Sequence, residues 1–143
     1  MGWNPWQHAA DNWPHIEIST DRELPPRIWG LTYGQRIWLC RTLNQVKRRC
    51  TLAHELIHLE RGPVPVDPHA RAREERAVAA ESARRLIGID ALTDALRANR
   101  EPHALADALW VDMPTLRARI DSLDPLEVAH LEHQLDGDWL WIP

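Results

Sequence analysis

A chain of 143 residues with a net charge of −4 and 44% hydrophobic residues is long enough to bury about two-thirds of its unfolded surface without disulfide staples. That composition, with 27% charged residues, excludes a disordered chain, and no apolar run approaches the roughly 20 residues needed to span a bilayer. The opening MGWNPWQHAADNWPH has no charged start leading into an apolar run, so a cytoplasmic protein without membrane contact is expected.

In chain order, the segment up to Pro14 is rich in Trp, Asn and Pro and reads as an irregular arm, too polar for a helix of its own. Its Trp3, Trp6 and Trp13 need apolar cover, part of which Trp139 and Trp141 could supply. HIEIS, residues 15 to 19, alternates as a short strand. RIWGLTYGQRIWLC, residues 27 to 40, reads as two β-rich runs around Tyr33-Gly34-Gln35, with Gly34 free to take the positive φ of a tight hairpin. The last strand, around Ile37 to Cys40, is expected at an edge. Cys40 and Cys50 are the only cysteines and read as small buried hydrophobes, not as a disulfide or a zinc pair.

A helix should start after Thr42 or Asn44, either a credible N-cap, and stop at Gly62-Pro63. Val46, Cys50, Ala53 and Ile57 form one apolar stripe on it, and Leu52, Leu56 and Leu59 another. Two apolar faces place this helix in the middle of the fold. Asp67 caps and Pro68 opens a second helix reaching Leu86 and ending at Gly88, and four shorter helices follow: 91–99, 103–110, 114–123 and 125–135. A small sheet with five or six helices is an α+β architecture. No repeat or low-complexity linker divides it, so residues 1–143 form one expected domain.

The central helix carries TLAHELIHLERG, residues 51 to 62. His54 and His58, four apart, stand on one helical face and can direct two imidazoles at one ion. Glu55 projects from an adjacent part of the helix, where a carboxylate can serve as general base without being a ligand. Chance alone places HExxH in such a chain roughly a few times in a hundred. Burying these groups on a doubly apolar helix without partners would cost several kcal/mol, and a metal removes that cost.

A catalytic zinc site needs a third protein ligand, and the second helix offers Glu74, Glu75 and Glu81. Glu75 shares a small or apolar stripe with Ala72, Ala79, Ser82 and Leu86, whereas Glu74 and Glu81 share a face with Arg85. Glu75 is the favoured ligand and Glu74 the alternative. His69, His103, His130 and His133 read as surface residues, and Tyr33 as a hairpin tip away from the chemistry.

Residues 103–123 also look like a helix-turn-helix, with Arg117 and Arg119 expected outward. From Glu101 onward, however, those two arginines stand against nine carboxylates, so nucleic acid is not an expected partner.

RRCTLAHELIHLERG followed by REERAVAAESARRLI resembles the ImmA/IrrE family of zinc metallopeptidases, particularly the short forms encoded by phages and mobile elements. The resemblance runs from about Ile28 to Leu131 and implies a minimal zincin-like domain: a hairpin leading into the HExxH helix, a second helix with a glutamate ligand, and a helical C-terminal portion. Glu75 with Val78 fits the family's second motif; Ile57 stands where the family often has Gly, and ESARRLIG departs from its aromatic-Ala and Leu-Leu-Pro steps. The implied activity is that of a gluzincin-like zinc endopeptidase with His54, His58 and Glu75 on the metal and Glu55 as base. Its substrate would be a protein, in the family often a repressor of a mobile element or stress regulon. The alternatives are a DNA-binding regulator using the 103–123 pair and a catalytically silent partner-binding protein, each keeping a non-catalytic metal site.

Overall fold

The computed structural model describes residues 2–135. Among them lie α1 (Pro5–Asn12), β1 (Glu17–Ser19), β2 (Gly30–Tyr33), β3 (Arg36–Leu39), α2 (Gln45–Arg61) and α3 (Pro68–Leu86). Four helices follow, α4 (Ile89–Ala98), α5 (Pro102–Leu109), α6 (Met113–Asp121) and α7 (Pro125–Gln134). The architecture is α+β, and none of these helices is long and apolar enough to cross a membrane.

The expected irregular arm is instead largely a helix. The Asn4 side chain accepts from Trp6 N and Gln7 N, and Pro5 occupies the first turn, where its missing N–H costs nothing. Polarity is misleading here because only Pro5 and Ala9 of this short helix are buried, and a helix needs no more than one narrow apolar stripe to dock. The suggested cover from Trp139 and Trp141 lies outside the described residues.

The hairpin turns where Gly34 takes φ +61°. Its second strand is not an edge. β3 lies between β2, antiparallel to it, and β1, parallel to it. Ile37 and Leu39 are fully buried, as suits a central strand, and β1 and β2 are the outer strands, each with one free edge. The parallel partner β1 arrives from earlier in the chain, a pairing that local pattern does not reveal.

α2 is capped by Asn44, which accepts from Lys47 N, and ends where Gly62 takes φ +91°. With about 100° between successive residues, its side chains sort into three faces. Cys50 and Ala53 join the helical core with Leu86, Leu92, Leu105, Leu116 and Leu131. Leu52 and Leu56 join a second core with Ile37 and Leu39 of the sheet and Ala9 of α1. The third face, with Thr51, His54, Glu55 and His58, lines a cleft. Both apolar faces are covered, so α2 is held from two sides; each fully buried Leu contributes roughly 1.5–3 kcal/mol.

α5 and α6 pack on each other through a turn at Trp110, which holds a left-handed φ of 57°. Arg117 is exposed, but Arg119, expected outward, is 1% exposed. Its Nε donates to Ile87 O at 2.7 Å and its fork grips Glu127 of α7. α6 also packs against α3, so its Arg119 face is turned into the protein. The helical period alone could not tell which arginine would turn inward to a carboxylate.

Candidate metal centre

α2 and α3 pack against each other, and their contact brings three side chains together. His54 Nε2 lies 3.2 Å from Glu75 Oε2, and His58 Nε2 lies 3.2 Å from Glu75 Oε1. The ligand atoms of His54, His58 and Glu75 all lie within 4.8 Å of one another. Donors bound at 2.0–2.2 Å around a tetrahedral ion are about 3.3 Å apart, and each imidazole stands at about that distance from one of the two Glu75 oxygens. Two imidazoles and a carboxylate are also a donor set that suits a divalent transition metal. This group could hold a metal ion.

Glu74, one residue away on α3, is engaged elsewhere. It accepts two hydrogen bonds from Arg61, at 2.6 and 3.0 Å. Glu81 pairs with Arg85, which also grips Glu60. The period of α3 thus separates the three glutamates: one faces the imidazoles and two face arginines.

Both imidazoles present Nε2 to the carboxylate, while His58 Nδ1 is buried without a partner. Burial holds the His54 pKa below its ordinary value, helped by the neighbouring His58 and opposed by Glu75. A depressed pKa keeps the ring neutral, the form that binds metal, to lower pH. Glu55 is 8% exposed, and burial raises its pKa. The charge of His58 opposes that rise, Glu75 adds to it, and the Thr32 hydroxyl opposes it without making a well-formed hydrogen bond. A carboxylate with a raised pKa is a stronger base.

Compared with models of protein families, with curated proteins and with solved structures, the chain matches none.

The triad opens onto a cleft of about 430 Å³. One wall is α2 from Lys47 to His58, another is Arg27 to Gly30 leading into β2, and Pro114, Thr115 and Ala118 of α6 line it too. The ion pair of Lys47 Nζ with Asp112 Oδ2, 2.7 Å, lies in the same cleft. Next to Glu55 and His58 a further hollow of about 450 Å³ extends under Gly62, Pro63 and Val64. The two hollows therefore share Glu55 and His58 as common walls. His69, His103 and His133 are exposed, His130 is partly exposed and Tyr33 is 77% exposed; none lines either hollow. Cys40 and Cys50 are buried and form no disulfide.

Gly30 is a site residue that motif reasoning passes over. A Cβ built there would stand 2.6 Å from Thr51 Cγ2, 3.2 Å from Glu55 Cγ and 3.3 Å from Glu55 Oε1. Only a glycine lets β2 lie so close to Glu55, and an isolated Gly inside a strand pattern is the available signal for such an approach. Gly30→Ala is expected to destabilise the fold by about 1–3 kcal/mol. Thr51→Ser, which removes the obstructing methyl, should recover part of that loss. Urea unfolding of the single and double variants measures both effects, and a double variant no better than the single one would refute the clash.

Proposed function

We propose that the chain is a zinc-dependent endopeptidase of the ImmA/IrrE type with a minimal zincin-like fold. The observation that carries this reading is the convergence of His54, His58 and Glu75, from two helices, beside the buried carboxylate of Glu55. In this reading His54, His58 and Glu75 hold the ion. Zinc bound there supplies a Lewis acid that polarises a carbonyl and makes water nucleophilic near neutral pH. Glu55 accepts the proton of the attacking water and delivers it to the leaving amine.

The free edge of β2, next to Glu55, can accept an extended peptide as an added strand, with backbone hydrogen bonds aligning it across the triad. Two hollows that share Glu55 and His58 as walls suit a bond inside a longer chain better than a terminal one. The substrate class is accordingly a protein with an extended segment, and a repressor is one such protein. Burial of Arg119 leaves the regulator reading without one of the two cations it relied on.

Metal analysis is the direct test. The purified chain reconstituted with zinc is expected to hold one ion, with affinity reduced by orders of magnitude in His58→Ala and Glu75→Ala but kept in Glu74→Ala. Retention in Glu75→Ala together with loss in Glu74→Ala would transfer the ligand role to Glu74. Equal retention in all three would remove the metal centre and the peptidase with it.

A further inference from the structure

A second cavity, of about 520 Å³, lies against the first two turns of α2, away from the triad. Its walls include Trp3, Trp6, Gln45, Arg48, Arg49 and Trp110. Three indoles and two guanidiniums meet there. Among the described residues no carboxylate lines it, in a chain whose net charge is −4.

Trp3 is already engaged, packed on both cores and covered by the guanidinium of Arg85 at 5.7 Å. Trp6 and Trp110, at 41% and 50% exposure, retain open surface that large aromatics ordinarily bury. Arg49 lies over the Trp110 ring at 5.7 Å and donates to Trp110 O at 2.7 Å. Trp110 is itself the left-handed C-cap of α5, its N–H donating to Ala106 O and Asp107 O, so its ring is held at the end of that helix. Arg48 donates from Nη2 to Arg41 O at 3.3 Å, while its buried Nε has no partner. Burial also lowers the Arg49 pKa, so an anion entering beside it would offset a desolvation cost already present in the fold.

We propose that this cavity is a nucleotide site, in which the base stacks on Trp6 and Trp110 and the phosphate is held by Arg48 and Arg49. The volume lies within the roughly 300–1,000 Å³ of small-molecule pockets. Indole faces suit a planar base, and guanidinium forks match phosphate oxygens in pairs. Two cations without a balancing carboxylate suit the charge of roughly −1.5 to −2 on a phosphate monoester at neutral pH. The Gln45 amide is placed to meet polar groups of the ligand. The nucleotide can be free or part of a single strand, since stacking and phosphate contact are common to both.

The test uses the full chain labelled with ¹⁵N in its indoles, stripped of metal so that the result does not depend on the peptidase reading. Its indole N–H signals are assigned with Trp6→Phe and Trp110→Phe. AMP, inorganic phosphate and a single-stranded oligothymidylate are titrated separately. Saturable shifts of the Trp6 and Trp110 signals by AMP are expected, with phosphate alone binding about tenfold more weakly or worse. Arg48→Gln should weaken AMP binding by about tenfold without changing the thermal unfolding temperature, and Arg48→Lys should recover it only in part. Saturation by the oligothymidylate but not by AMP assigns the site to a strand. The site is overturned if neither nucleotide ligand shifts the two signals, if Arg48→Gln binds like the wild type, or if phosphate alone binds as tightly as AMP.

Discussion

Glu55→Gln is expected to lower peptide hydrolysis by roughly 10²–10⁴-fold while the zinc content stays at one ion per chain. The amide is close to isosteric with the carboxylate but has no proton affinity near neutral pH, so it removes the base of the proposed mechanism and little else. Glu55 does not belong to the set of converging ligand atoms, which is why metal binding should survive. A diverse peptide library, compared by mass spectrometry before and after incubation, measures the cleavage whatever the natural substrate. Cleavage at the wild-type rate in this variant would remove Glu55 from the chemistry. Loss of zinc along with activity would instead make it a ligand.

The second large effect is on stability and lies away from the triad. Arg119 is 1% exposed, and its fork closes on Glu127, whose side chain is 14% exposed. Glu127 also accepts from Arg84 at 2.8 Å and closes the capping box of α7 with Asp124. Arg119 is the largest cause that holds the Glu127 pKa at about 2 instead of 4.5. Removing one partner of a buried pair leaves the other charge uncompensated, so Glu127→Ala should cost about 3–5 kcal/mol in urea unfolding. Arg119→Met combined with Glu127→Gln should cost less than Glu127→Ala, because no guanidinium is then left buried without its carboxylate.

The sign of the pH dependence follows from the depressed pKa. The unfolded chain takes up this proton near pH 4.5 and the folded chain only near pH 2. The contribution of Glu127 is therefore complete above about pH 4.5 and lost as pH falls toward about 2. The stability difference between wild type and Glu127→Gln should shrink over that interval. A constant difference would show that the pair is not what stabilises this corner.

Much of the helical framework is legible in the sequence because its punctuation is chemical and local. Asn44, Asp67, Pro68 and Gly62 act on their immediate neighbours, and the structure has caps and termini at those positions. The two apolar stripes of α2 likewise follow from the helical period, and they meet two separate cores. α1 escapes such a reading because its boundaries depend on Asn4 and Pro5 acting together within a polar segment. The central position of β3 escapes it because a parallel partner, β1, is chosen by the path of the chain and not by the composition of either strand.

By itself, the sequence determined which residue types stand at helical spacing: two imidazoles and a carboxylate on one helix, and three glutamates on the next. Only the packing of α3 on α2 decided that Glu75 meets the imidazoles while Glu74 meets Arg61. Tertiary structure likewise decided that Arg119 lies inside, that β2 is an outer strand beside Glu55, and that Arg48 and Arg49 share a cavity with Trp6 and Trp110. The physical reason is range. Capping and periodicity act over three or four residues, whereas the partner of a charge, the neighbour of a strand and the walls of a cavity depend on segments far apart in the chain.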